Sequence, residues 1–209
     1  TFRHEIYREY KANRPPMPED LSVQIPYLKK IVEGFNIPSL ELNGYEADDI
    51  IGTIAEKATE KGYKTVIVTG DKDFKQVISK SASLWDPMKD RSIAYEGFKE
   101  ELSIEPEQWI DVLGLAGDSS DNIPGVPGIG AKTAIKLVKE FDNINHLLEN
   151  TDQIKQKKWR ESLTAYADQA RLSRKLTAID IKVPLSFNFQ DFRVTPPDRE
   201  KLGDLFREL

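Results

Sequence analysis

The chain has 209 residues, 39% hydrophobic and 31% charged, which suits one domain or a catalytic domain with an appended lobe and leaves ample apolar material for a core. Cysteine is absent, which excludes a disulfide framework or thiolate zinc site and points to a reducing, cytoplasmic setting; His4 and His146 lie too far apart in sequence to suggest a zinc enzyme. The formal net charge of −5 does not advertise nucleic acid, although net charge misleads where an acidic metal cluster and basic patches share a chain, and no apolar run is long enough to suggest a membrane partner.

The sequence opens on Thr1-Phe2-Arg3-His4 without an initiator methionine and enters a helical pattern at once, so a missing upstream segment is expected. Residues 1–14 mix aromatic and basic side chains. On one helix, Arg3, Tyr7, Tyr10, Lys11 and Arg14 form a face able to contact phosphates and stack on unpaired bases. Taken alone, the segment reads as a solvated helix with its tyrosines leaning on the core. The Pro15–Pro18 breaker closes it. A helix is predicted from Asp20, with Val23, Tyr27, Leu28, Ile31 and Val32 at helical spacing, then a short strand over 37–42.

Ala47 to Lys61 has the pattern of an amphipathic helix ended by Gly62. Lys64 to Thr69 is a β-branched run typical of a buried parallel strand, and a further helix is predicted from Asp71. Short strands follow around 82–85 and 92–95, separated by an Asp86-Pro87 turn. From Gln108 the pattern is mostly helical, with Gly and Pro crowded between Gly114 and Gly130, and Leu202, Leu205, Phe206 and Leu209 form a closing apolar stripe. This alternation predicts an α/β sheet followed by a helical lobe.

Three acidic groups stand out: Glu46, Asp48 and Asp49; Asp71 and Asp73; and Asp118 and Asp121. Singly, each has a structural explanation, as first-turn acids, a helix cap and a turn. Together they suggest a site. Asp71 and Asp73 follow directly on an apolar strand, where α/β proteins open their crevices, and Glu46 and Asp49 share a helix face. Seven converging carboxylates would repel strongly, since two like charges about 4 Å apart cost roughly 4 kcal/mol at an effective dielectric near 20. All-oxygen ligands favour Mg²⁺ or Mn²⁺ in a two-metal site suited to in-line phosphodiester hydrolysis.

The stretch Gly125-Val126-Pro127-Gly128-Ile129-Gly130-Ala131-Lys132-Thr133 is close to a nucleotide-binding loop but fails as one. Ala131 separates Gly130 from Lys132, no strand precedes it, and the glycine order misses the dinucleotide fingerprint. A tight turn between helices is predicted instead. Its backbone N–H groups would hold a DNA phosphate, with Lys132 and Lys136 one turn apart along the backbone; the alternative is an ordinary helical hairpin with solvated lysines.

The motifs FRHE…EYKANRPPMP, GYEADDIIGTIA, VTGDKDFKQ and LAGDSSDNIPGVPGIGAKTA occur in the order seen in the 5′-nuclease domain of bacterial DNA polymerase I and related flap endonucleases, and the chain resembles that family over essentially its whole length. The resemblance implies a PIN-like parallel-sheet core, short of the family's first strand, with a helical lobe carrying a helix–three-turn–helix. It implies an arch and first helix over 1–29, a catalytic core over 30–107 and a DNA-binding lobe over 108–209.

It further implies that the seven acids match the family's metal-site acids, and that Lys11 and Arg14 match arch residues engaging the scissile phosphate, with Tyr10 beside them. The glycine turn, with Gly125, Gly128, Gly130 and Thr133, would bind duplex DNA and, as in relatives, a monovalent cation such as K⁺. The expected substrate is flapped, nicked or gapped DNA, cut by a monomer, either alone or fused to a polymerase domain. The competing expectations are a DNA-binding module with an incomplete, inactive metal site, and a ribonuclease of the PIN type, against which the glycine turn and basic arch count.

Overall fold

A computed structural model describes residues 1–208, which pack as two units. The larger takes residues 1–14 and 44–183; the smaller takes residues 15–43 and the segment from Pro184 onward.

The larger unit opens on a single helical turn, α1 (Arg3–Ile6), after which residues 7–14 run as turns. In the smaller unit, the helix expected from Asp20 is split into α2 (Glu19–Ser22) and α3 (Ile25–Gly34). Pro26 explains the break: lacking an N–H, proline is tolerated in a first turn, so a new helix starts around it. Val23 and Leu28 are exposed rather than packed. The strand expected over 37–42 does not form; Ile37 is exposed and Pro38 has no N–H for a ladder.

Back in the larger unit, α4 (Ala47–Glu60) buries Ile50, Ala55 and Ala58 and carries Asp48 and Asp49 in its first turn, where acids suit the helix dipole. Gly62, at positive φ, ends it. Next come β1 (Thr65–Val68), a 3-10 helix over Lys72–Val77 where an α-helix was expected, β2 (Ala82–Asp86) and β3 (Arg91–Ile93). The sheet is mixed, in the order β1-β2-β3. β1 and β2 run parallel, with Val68 opposite Trp85, whereas β2 and β3 are antiparallel. The expected parallel pairing holds for β1 and β2; β3 runs antiparallel because its link to β2 is a tight turn, and a parallel pair needs a crossover of a dozen or more residues. β1 lies at the edge of the sheet, so only Ile67 is buried while Val66 and Val68 face outward, contrary to the buried strand its composition suggested.

Helices complete the larger unit: α5 (Tyr95–Leu102), α6 (Trp109–Ala116), α7 (Ala131–Phe141), α8 (Ile144–Glu149), α9 (Lys157–Ala165) and α10 (Ala167–Thr177). In α7, Ala134, Leu137, Val138 and Phe141 recur at the spacing of one helix face and join the core with Leu113, Leu115, Ile144 and Leu147. α6 and α10 come close because Gly114 has no side chain: a Cβ there would meet Arg174 backbone and Cβ atoms at 2.7–3.0 Å.

The smaller unit closes on α11 (Arg199–Glu208), whose Leu202 packs against Gly34 of α3. Leu202 and Leu205 of the expected apolar stripe are buried, Phe206 is exposed, and Leu209 lies outside the described residues. Among the described residues no helix is long and apolar enough to cross a membrane.

Candidate active site

Three pieces of chain converge on one cleft of the larger unit. Glu46 and Asp48 stand at the start of α4, Asp71 and Asp73 follow β1, and Asp118 and Asp121 lie in the turn after α6. All six line a cleft of about 490 Å³ together with Lys11, Arg14 and Lys72. Six carboxylates against three cations leave it formally negative.

Local structure holds each acid. The Asp71 carboxylate caps the 3-10 helix, accepting the Asp73 N–H at 2.9 Å, so its structural role and its place in the cleft coexist. The Trp109 indole N–H donates to the Lys72 carbonyl at 2.9 Å and anchors that turn. The Asp118–Asp121 turn is closed by reciprocal backbone bonds between Asp118 and Ile123, 2.9 and 2.7 Å, and Asp118 Oδ1 accepts the Ser120 N–H at 2.7 Å.

The basic segment reaches the cleft by another route than a helical face. α1 ends at Ile6, and the turns that follow are stitched to the acidic turn: Lys11 N donates to the Asp121 carbonyl at 2.9 Å, Asn13 Nδ2 to the Ser119 carbonyl at 2.6 Å, and Asn122 Nδ2 to the Glu9 carbonyl at 2.6 Å. Lys11, at φ 57°, sets its ammonium 2.8 Å from both Glu46 oxygens and 3.6 Å from Asp121 Oδ2. Arg14 pairs with Asp121 through Nη2. The Tyr10 ring is buried, and its hydroxyl sits 3.1 Å from Glu46 Oε2 and 3.3 Å from Asp121 Oδ2, so it braces the acids and offers no stacking face. Burial and the neighbouring Glu46 and Asp121 hold its phenol well above the usual range. Tyr7 is half-buried against Tyr10, Ile123 and Leu176.

Two expected site residues are elsewhere. Arg3 is buried, and its guanidinium forks onto Asp49, with Nη1–Oδ2 and Nη2–Oδ1 both at 2.8 Å; it also donates to the carbonyls of Leu176 at 2.9 Å and Ala178 at 2.6 Å. Asp49 is fully buried and accepts the N–H groups of Asp180 at 2.9 Å and Glu46 at 3.1 Å. Burial would raise its carboxyl, but Arg3 and the backbone donors outweigh that and hold it below the usual value. Neither residue lines the cleft; they tie α1 and α4 to the end of α10. Sequence spacing had marked a DNA contact and a metal ligand, and the fold uses them as a buried ion pair.

Lys72 is the cleft residue that sequence reasoning passed over, although it stands between two marked aspartates. Its ammonium is 2.6 Å from Asp118 Oδ2, which holds that carboxyl low against the opposing effect of burial. The opposite holds deeper in. Burial, then Asp71, push the Asp73 carboxyl up to about 7, and Asp73 Oδ1 is buried without a hydrogen-bond partner. Asp48 is raised by burial and by Asp71 and Glu46. Among the described residues, no three acids stand close enough together, as their side chains lie, to hold one ion.

The glycine turn joins α6 to α7. Gly125 is buried at φ 58°, its N–H donates to Ser173 Oγ at 3.0 Å, and a Cβ there would lie 2.4 Å from Gly117 N. Its N–H therefore serves the fold rather than a ligand. Gly128, at φ 81°, and Gly130 are exposed, with nothing within 4 Å of a Cβ added at Gly130. Gly130 caps α7, whose first turn, Ala131 to Thr133, has no side-chain cap. Lys132 and Lys136 are exposed, Lys136 over the Trp159 ring at 5.6 Å, and Thr133 is half-buried.

The larger unit thus joins a small α/β core, with carboxylates gathered beyond one strand end, to helices that carry a glycine hairpin. Residues 1–103 match the 5′-3′ exonuclease N-terminal resolvase-like domain, and residues 104–200 match the 5′-3′ exonuclease C-terminal SAM fold. The chain belongs to the 5′-3′ exonuclease family.

It is 41% identical to DNA polymerase I of Bacillus caldotenax over 213 residues, covering all of this chain and 24% of that protein. Against the thermostable DNA polymerase I of Thermus thermophilus the identity is 42% over 209 residues, covering all of this chain and 25% of that protein. The chain thus spans about a quarter of the curated relatives it matches. Among solved structures, a bacteriophage T5 flap endonuclease in a pseudo-enzyme-product complex with DNA and metal ions superimposes with a TM-score of 0.72 at 25% identity, over 87% of this chain and 70% of that one. The catalytic core of Rad2 in complex with DNA substrate shares the fold, with a TM-score of 0.65 at 19% identity over all of this chain and 70% of that one.

Proposed function

We propose that this chain is a structure-specific 5′-nuclease unit that hydrolyses phosphodiester bonds in flapped, gapped or nicked DNA, in the cytoplasm, as a monomer or as one part of a DNA polymerase I. The observation that carries it is the six-carboxylate cleft with a buried, unpartnered oxygen on Asp73. An orphaned carboxylate oxygen among five other acids fits a divalent cation, and an all-oxygen donor set favours Mg²⁺ or Mn²⁺ over zinc. Asp71, Asp73, Asp118 and Asp121, with Glu46 and Asp48, would hold such ions; when bound, they would supply charge stabilisation and an activated water. The family resemblance extends the proposal to K⁺ at the glycine hairpin.

The chain's own groups then divide the work. Lys11 and Arg14 present positive charge over the acids and would neutralise the scissile phosphate as it enters. Tyr10 keeps Glu46 and Asp121 in place from beneath. The exposed first turn of α7, with Lys132 and Lys136, would hold the backbone of the duplex flank.

A second reading, a DNA-binding module with an incomplete site, is favoured by one observation: the acids do not stand within common reach of a single ion among the described residues. A labelled 5′-flap duplex incubated with this chain separates the two. Cleavage that requires Mg²⁺ or Mn²⁺ and is abolished by chelator supports the nuclease. Tight binding without cleavage in either metal refutes it and leaves the binding module.

A further inference from the structure

A second pocket, of about 160 Å³, shares Gly70, Asp71 and Lys72 with the carboxylate cleft. Besides Thr69 and Asp86, the rest of its polar lining is basic: Lys75 from the 3-10 helix, Lys89 from the turn between β2 and β3, and Arg91 from β3. Its other acid, Asp86, is engaged locally. Asp86 Oδ1 accepts the N–H groups of Met88 and Lys89 at 3.0 and 3.3 Å, and Oδ2 pairs with the Lys89 ammonium at 3.0 Å. Lys72 and Arg91 also have carboxylate partners, Asp118 and Glu101.

Lys75 differs. It is half-buried, lies 4.6 Å from the centre of the Trp109 ring, and has no carboxylate oxygen within 4 Å among the described residues. An ammonium taken partly out of water without a counter-ion is costly, and a ligand anion would relieve the cost. The pocket has room for a phosphate group.

We propose that this pocket is a phosphate subsite, in which Lys75 and Arg91 grip one internal phosphodiester of the DNA whose scissile linkage lies in the adjoining cleft. The proposal deepens the nuclease reading, on which it rests for the identity of the ligand, but binding can be measured without cleavage. Both cations serve a single phosphate. The double variant Lys75→Gln/Arg91→Gln should therefore flatten the plot of log affinity against log salt by about 0.9, the value for one neutralised phosphate on B-form DNA, and not by twice that.

The test uses the full chain, a 5′-flap duplex and Ca²⁺ or chelator to suppress cutting, with folding checked by circular dichroism. Single methylphosphonate linkages, which carry no charge, are placed one at a time near the junction. In the unaltered chain, one linkage should weaken binding by several-fold. In the double variant that same linkage should have no effect, while the others behave as before. An unchanged salt slope in folded double variant, or a methylphosphonate effect that survives it at every position, overturns the subsite. A chain that never cleaves but shows the position-specific coupling keeps the subsite and refutes the nuclease; a chain that cleaves without the coupling does the reverse.

Discussion

Replacing Arg3 tests the buried ion pair it forms with Asp49. In Arg3→Met a side chain of similar length fills the space, but Asp49 keeps a fully buried negative charge with only the Asp180 and Glu46 N–H groups against it. The carbonyls of Leu176 and Ala178 each lose a charged donor as well. Breaking one side of a buried pair costs about 3–5 kcal/mol, because the remaining charge has no compensation. At a urea slope of about 2 kcal/mol per molar, that lowers the unfolding midpoint by about 1.5–2.5 M. Tryptophan fluorescence suits the assay, since Trp85, Trp109 and Trp159 all lie in the unit that contains the pair. Arg3→Met combined with Asp49→Leu should recover much of the loss, because no unpaired charge is then left buried.

The pair also carries a pH signature with a definite sign. Arginine stays protonated throughout, so the Asp49 carboxyl decides. Its value is lowered in the folded state, hence its contribution is fully present above the unfolded aspartate value near 4 and fades as pH falls through the lowered folded value. Arg3→Met should flatten the acid limb of the stability curve in that window. A midpoint shift below about 0.3 M in Arg3→Met, with the acid limb unchanged, would refute the buried-pair assignment and return Arg3 to the surface role its sequence suggested.

The other predictions concern the cleft and the hairpin. Asp73→Asn should remove most metal-dependent cleavage while leaving flap binding nearly intact, checked by single-turnover kinetics beside a binding titration. Lys11→Ala should slow single-turnover cleavage by about 10²–10³ with a much smaller change in affinity, as expected for charge stabilisation of the reacting phosphate; an equal loss in both would mark a positioning contact. Gly125→Ala should destabilise by on the order of 3 kcal/mol through positive φ and collision with Gly117, whereas Gly130→Ala, with open space around the added carbon, should leave the denaturation curve unchanged. Lys132→Ala with Lys136→Ala should lower the salt slope for duplex binding by somewhat under two units, at about 0.9 for each phosphate contact, with no change in sequence preference.

How much of this was legible in the sequence depends on the range of the interaction involved. Helical periodicity located α4 and α7, and a β-branched run located β1, because both signals are written within a dozen residues. Acids at a helix start, just beyond a strand and in a turn were likewise visible as groups, and six of the seven do line one cleft. What failed were statements about partners far along the chain. Nothing in residues 1–14 shows that Arg3 will meet carbonyls more than 170 positions away, or that Asp49 will accept an N–H from Asp180. A charged residue at a helical position has the same local signature whether its partner is DNA, a metal or a buried counter-charge.

The glycine turn shows the same limit inside one motif. Three glycines within six residues announce a tight bend, and the sequence offers no reason to treat them differently. The structure does: Gly125 is required because the Gly117 backbone lies where a Cβ would stand, and the sequence separation between those two residues hides it. Gly130 has no such neighbour, so its freedom from a side chain matters only if something outside the chain approaches. The two glycines thus make opposite predictions from the same letter. Loss of stability without a surface effect at Gly125, set against loss of DNA affinity without a stability effect at Gly130, would divide the motif into a part that closes the fold and a part that faces the duplex.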